Sequence, residues 1–219
     1  MLGSDKYFNN IKIHTQYSIC EGAIKIDDLA EFSKSNKIKC LGLADSLNLC
    51  GALEFSEKLS KAGTFPIIGS QINLKMHNVI GKITLYAKSE IGYKNLTKLS
   101  SLSYLNSREN EDPACKIEDL IANSNDLILL TGSHRDFFGK LFEVNKLKDL
   151  LDTANTLKNC FKNRIYFEIQ RHYENEEKNY ENYILNISKS LDIPLIATQE
   201  VFYIKEEMYE AHDALTCIG

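Results

Sequence analysis

Basic charge is in short supply in this sequence. Lysine and arginine number 26 against 30 aspartates and glutamates, giving a formal net charge of −4 and an isoelectric point near 5.8. Neutralising a phosphate backbone takes a cationic surface. The composition therefore excludes a stand-alone nucleic-acid binder and confines any basic patch to a role within a larger assembly. The six cysteines (Cys20, Cys40, Cys50, Cys115, Cys160, Cys217) contain no C-x-x-C pair, which removes zinc knuckles and thioredoxin-type motifs. Free thiols acting as small apolar fillers in a reducing cytoplasm are the plain reading. No run approaches the roughly 20 apolar residues of a membrane span, and the opening MLGSDKYFNN lacks an apolar signal core. A cytoplasmic protein with no membrane partner is expected. There is also no G-x-G-x-x-G turn, no internal repeat and no low-complexity tract.

What is present is an ordinary globular composition, 219 residues with 43% apolar and 26% charged, enough for one sizeable core. Residues 1–219 are expected to form a single domain. Short β-rich runs recur: NIKIH (10–14), IKCLGLAD (38–45), FPIIGSQINL (65–74), KITLYA (82–87), DLILLTG (126–132), RIYFEIQ (164–170) and IPLIATQE (193–200). Between them lie segments with helical spacing. Leu29, Phe32 and Ser33 mark one, and Leu53, Phe55 and Leu59 before Gly63 mark the next. Further helices are expected in SEIGYKNLTKLSSLSYL, KIEDLIANS, NKLKDLLDTANTLKNCF and NYENYILNISKSLD. The polar NSRENEDPACK (106–116) reads as a loop. This alternation gives an α/β fold with a parallel sheet, open and doubly wound or closed into a barrel. About seven strands without a glycine-rich first turn favour the barrel. The last segment, KEEMYEAHDALTCIG, reads as an amphipathic helix expected to continue into a longer protein.

In a parallel barrel the chemistry gathers where strands end. Those ends supply His14, Asp45 with Ser46, Gln71, Ser133 with His134, His172, and Glu200 with Phe202. Imidazoles and carboxylates have the outline of a divalent-metal site, but serine, glutamine and phenylalanine interrupt it. The long stretch from IHTQYSICEGAIKIDDLAEF to FPIIGSQINL, then LYAKSEIGYKNLTKLSSLSYL, YFEIQRHY, IPLIATQEVFYI and AHDALTCIG, resembles the PHP (polymerase and histidinol phosphatase) domain family. It is closest in kind to the domain at the N-terminus of bacterial DNA polymerase III alpha subunits. GYKNL and AHDALTCI carry that distinction, and the resemblance covers nearly the whole chain.

The resemblance implies a distorted seven-stranded (β/α) barrel whose active members bind a cluster of divalent metals. Carried onto this sequence, the family's His-x-His falls on Lys12 and His14. Its Thr-Asp-His falls on Ala44, Asp45 and Ser46, and its Gly-Cys-Glu on Gly69, Ser70 and Gln71. A further family histidine corresponds to Lys82 and a cysteine to Ser133, with His134 beside it. The histidine of QRH is present as His172. The closing Asp-x-His reads Glu200, Val201, Phe202. His14, Asp45 and His172 alone remain as residual ligand candidates. A dication a few Å from an ammonium loses on the order of several kcal/mol at an effective dielectric near 20. No metal and no catalytic residue are therefore expected in this domain.

Two readings of these positions remain open. His14, Asp45 and His172 hold one weakly bound ion, or they form a hydrogen-bonded polar cluster. Lys12 pairs with Asp45 or Glu200 in place of the lost metal, or it lies on a solvent-facing edge. His77 reads as a loop residue, His212 as a hydrogen-bonding group on the last helix, and Tyr93 with Asn95 as a helix-packing device. By resemblance the parent protein is a DNA-directed DNA polymerase using Mg²⁺. Its partners are the rest of the polymerase chain, the proofreading exonuclease subunit, and primer-template DNA within the replicase. The alternative is an active metal-dependent phosphoesterase or proofreading nuclease.

Overall fold

The computed structural model describes residues 8–108 and 110–218. In chain order the elements are β1 (Lys12–Ile13), α1 (Ile26–Ser35), β2 (Cys40–Leu43), α2 (Ala52–Ala62), β3 (Phe65–Met76), β4 (Val79–Ala87), α3 (Glu90–Leu105), β5 (Cys115–Lys116) and α4 (Ile117–Ala122). There follow β6 (Leu127–Leu130), α5 (Phe137–Glu143), α6 (Leu147–Phe161), β7 (Ile165–Ile169), α7 (Asn175–Leu191), β8 (Leu195–Ala197), β9 (Glu200–Val201) and α8 (Tyr209–Thr216). Two compact units result. One takes the described residues of Met1–Ser46, Cys50–Ile68 and Gln199–Gly219, and the other Leu47–Leu49 and Gly69–Thr198.

In the first unit every strand pair is parallel. Ile13 of β1 faces Leu43 of β2, residues Cys40–Leu43 face Phe65–Ile68 of β3, and Lys12 of β1 faces Glu200 of β9. Crossover helices make this possible, because parallel neighbours cannot be joined by a tight turn. Helix α1 buries Ile26, Leu29 and Ser33, and α2 buries Ala52, Phe55 and Leu59. Leu53 and Phe32, assigned to the inner faces by spacing, are instead 71% and 38% exposed. For α2 the inward stripe starts one residue earlier, and a one-residue step turns a helix by about 100°. Gly63 ends α2 in the left-handed region, φ 84°, as a helix-terminating glycine should.

The second unit mixes directions. β3 turns into β4 with Met76 opposite Val79, and His77 occupies the two-residue turn at φ 51°. Such a turn can join only antiparallel strands. β4 then pairs antiparallel with β6, while β6, β7 and β8 run parallel and β5 adds to β3. The expected wholly parallel sheet is thus corrected here. Nine strands appear among the described residues, two more than expected. IPLIATQE, read as one strand, divides into β8 and β9 at Thr198–Gln199, and β5 closes the loop after Pro113. Leu85, Leu129, Phe137, Phe138, Phe161 and Phe167 anchor the core of this unit. Helix α5 was not anticipated: its apolar Phe137, Phe138, Gly139 and Leu141 are nearly continuous and show no period.

Gly42 sets how closely β2 approaches the segment leading into β1. A Cβ there would stand 2.2 Å from the Ile11 carbonyl oxygen, which must move before any side chain fits. Gly42→Ala is expected to cost about 1–3 kcal/mol, read as a clear fall in the urea midpoint at unchanged slope.

Candidate functional site

β1 and β9 place four side chains on one face. Lys12 lies opposite Glu200 and Ile13 opposite Val201, and side chains alternate faces along a strand. Lys12 and His14 therefore share a face with Glu200 and Phe202 on the neighbouring strand. Lys12 Nζ is 2.9 Å from Glu200 Oε1. Two residues on, the His14 ring stacks against Phe202 with centroids 4.5 Å apart and planes at 19°. His14 Nε2 lies 3.8 Å from the same Glu200 oxygen. Lys12 and His14 are fully buried, while Glu200 keeps 22% of its side chain exposed. The carboxylate partner expected for Lys12 is present as Glu200. Burial alone would raise the Glu200 carboxyl, but the His14 imidazole and Lys12 ammonium outweigh it and hold the group well below the usual carboxylate range.

Asp45, immediately beyond β2, is fully buried and held by neutral donors. Its Oδ1 accepts from the Thr15 backbone N–H at 2.6 Å and from Ser18 Oγ at 2.7 Å, and Oδ2 accepts from Thr15 Oγ1 at 2.8 Å. With its proton committed to Asp45, the Ser18 oxygen is left to accept. His14 Nδ1 stands 3.4 Å from it and the Ser46 N–H 3.1 Å. Burial raises the Asp45 carboxyl, against the lowering by Ser18 and Thr15. Ser46 Oγ donates to the Glu21 carboxylate. The Glu21 carbonyl in turn pairs with His212 Nε2 at 2.7 Å, and His212 packs on Phe202. The hydrogen-bonding role expected for His212 is thus present.

The other singled-out residues belong to the second unit. Gln71 is buried in β3 opposite Thr84, and Lys82 is half-buried in β4 opposite Asn73. Ser133 donates through its N–H and Oγ to Asp136 Oδ2, at 2.7 and 2.9 Å. His134 turns to Glu174, with Nε2 2.9 Å from Oε2. His172 is exposed; its ring reaches Gln170 Oε1 at 3.3 Å and its backbone N–H donates to Glu177 at 2.6 Å. Sequence reasoning missed Glu168. This carboxylate, 1% exposed, accepts from the Gly132 N–H at 3.0 Å, from Gln170 Nε2 at 2.8 Å, and from Thr198 Oγ1. It also missed Glu174 and Glu177, whose E-x-x-E spacing signals only a helix start. Both carboxylates do cap α7.

The cysteines are all free. Cys115 alone is buried, with its thiol pushed up to about 12 by desolvation; Cys50 and Cys217 are exposed. The filler reading therefore holds fully only for Cys115. Asn95 Nδ2 donates to the Asn125 carbonyl at 2.9 Å, which fits the local packing role assigned to it.

Three comparisons with known proteins place this geometry. A family model described as PHP domain matches residues 10–172. The chain is 35% identical over 225 residues to a DNA polymerase III subunit alpha from Caulobacter vibrioides, covering 97% of this chain and 19% of that protein. It is 36% identical over 213 residues to the subunit of the same name from Rickettsia felis, covering 97% and 18%. The chain thus spans about a fifth of the length of the curated relatives it matches. Among solved structures, a candidate metal-dependent phosphoesterase from Bifidobacterium adolescentis aligns over 94% of this chain and 95% of its own, with TM-score 0.57 and 10% identity. An amidohydrolase from Chromobacterium violaceum aligns over 94% and 96%, with TM-score 0.57 and 8% identity. At such identities these two speak to the fold alone. Among the described residues no helix is long and apolar enough to cross a membrane.

The depressed Glu200 carboxyl carries a definite pH signature. A carboxyl whose folded value lies below the unfolded one, about 4.3, stabilises fully above that pH and loses the contribution as pH falls through the window below it. Asp45, raised, works in the opposite sense. Glu200→Gln is expected to destabilise by about 2–4 kcal/mol at pH 7 by stranding Lys12, with the deficit narrowing below pH 4.3. Urea unfolding at stepped pH reads this; a deficit independent of pH would contradict it.

Proposed function

The chain belongs to the PHP domain family, and from that membership we propose that it is the PHP portion of a replicative DNA polymerase III alpha subunit, serving as scaffold rather than hydrolase. The observation that carries this reading is the buried Lys12–Glu200 pair, 2.9 Å apart, at two positions where the family resemblance expects metal ligands. An ammonium and the Phe202 ring offer no lone pair, and the carboxylate they flank is already neutralised. Hydrolysis by a PHP-type phosphoesterase or nuclease needs metal-activated water. The donor set at Lys12, Ser46, Gln71, Lys82 and Phe202 does not fit the metal cluster that would supply it. Asp45 reads as a hydrogen-bonded member of a polar network, and His14, whose buried Nε2 has no hydrogen-bond partner among the described residues, is left as a lone imidazole between Lys12 and Phe202.

In this reading the parent chain extends a primer from deoxynucleoside triphosphates, with Mg²⁺ held outside residues 1–219. The domain packs against the rest of that chain and offers a docking surface to the proofreading exonuclease subunit, in the cytoplasmic replicase. The near relatives' names support the polymerase assignment; the exonuclease docking rests on the family resemblance.

The 219-residue chain, given Mn²⁺ or Zn²⁺ with p-nitrophenyl phosphate or a 3′-mismatched primer, is expected to release product no faster than metal and buffer alone. Turnover abolished by His14→Ala would overturn the scaffold reading. Primer extension by the full-length protein tests the parentage separately.

A further inference from the structure

Two loops of the second unit bring together an imidazole and two carboxylates, none of them at a family ligand position, although His134 follows Ser133 and the His172 N–H donates to Glu177. His134 follows β6, and Glu174 and Glu177 open α7 after β7. Their ligand atoms all lie within 4.8 Å of one another. His134 is held in place from behind: a Cβ on Gly139 of α5 would stand 1.9 Å from the His134 carbonyl oxygen, so helix and loop are pressed together. A separate observation concerns Tyr180, one turn beyond Glu177 on α7. It is 4% exposed, and its hydroxyl has no hydrogen-bond partner among the described residues. Tyr180 walls a cavity of about 10 Å³ with Ser133, His134 and Glu177, space for about one water. It also walls a cavity of about 520 Å³ with His134, Arg135 and Glu174. A buried phenol left without a partner is costly, and hydrated contents in these cavities would relieve it.

We infer that His134, Glu174 and Glu177 bind one divalent cation of the zinc class, clamping the β6–α5 loop to the start of α7. One imidazole nitrogen and two carboxylates suit zinc and leave a position for water, supplied from the cavities that Tyr180 walls with them. The existing partners of these carboxylates do not preclude ligation. Arg135 engages both Glu174 oxygens, Nε donating to Oε2 at 3.0 Å and Nη2 to Oε1, and the His172 and Glu174 N–H groups donate to Glu177 at 2.6 and 3.3 Å. A carboxylate has about four lone-pair sites, and hydrogen bonds of this kind orient ligating carboxylates. The Arg135 charge, 70% exposed, weakens the site without filling it. The role is structural and independent of the scaffold reading, since no residue of the Lys12–Glu200 cluster takes part.

The test is calorimetric titration of the metal-stripped 219-residue chain with zinc chloride. One equivalent is expected to bind and to raise the melting temperature. His134→Ala should weaken binding at least tenfold, and Glu174→Gln, a milder change at the helix cap, should do so if the first variant folds poorly. His14→Ala should leave binding unchanged. Absence of saturable binding, binding that survives both His134→Ala and Glu174→Gln, or binding lost in His14→Ala would each overturn the inference.

Discussion

A lysine ammonium buried against a carboxylate is the constraint on which the first unit depends. Lys12 is wholly out of water, and Glu200 is half-buried against it. Neither charge could be left there alone, because an unpaired buried ion costs several kcal/mol. The pair therefore dictates that β1 and β9 meet in the one register that sets Lys12 opposite Glu200. That register also brings His14 onto Phe202 two residues further on. Phe202 in turn meets His212 of α8. A single electrostatic requirement thus propagates along two short strands into the terminal helix.

Buried carboxylates in this protein are stabilised in two ways, and the contrast bears on function. Glu200 keeps its charge beside a cation and an imidazole, whereas Asp45 and Glu168 depend on neutral hydroxyl, amide and backbone donors. A network of neutral donors satisfies a carboxylate without creating an open coordination position. Where the family resemblance places ligands, Asp45 has its oxygens engaged, and Lys12 and Phe202 offer no lone pair. The His134, Glu174 and Glu177 group is of another kind: one imidazole and two carboxylates converge beside cavities and an unsatisfied phenol.

Much of this was legible in the sequence, and the gaps have physical causes. Lys-x-His and Glu-x-Phe are each i, i+2 couples, so their sharing a strand face follows from the pleat alone. Their meeting does not, because strand register is a long-range property; Lys12 could be matched to a carboxylate but not to Glu200 in particular. The break of IPLIATQE into β8 and β9 carries no proline or glycine to mark it. Leu53 was misassigned because two apolar residues, Ala52 and Leu53, stand side by side at the start of α2, and only packing chooses between them. Glu174 and Glu177 read as caps, which they are. Their approach to His134 comes from loops 40 residues apart in the chain, which spacing cannot reveal.

The central claim is that Lys12 and Glu200 stabilise each other directly. A double-mutant cycle tests it: Lys12→Met, Glu200→Gln and the combined variant, each unfolded in urea at pH 7. The account predicts that each single change costs about 2–4 kcal/mol while the double change costs little more than either, a coupling of about 2 kcal/mol or more. Strict additivity of the two single effects would contradict it.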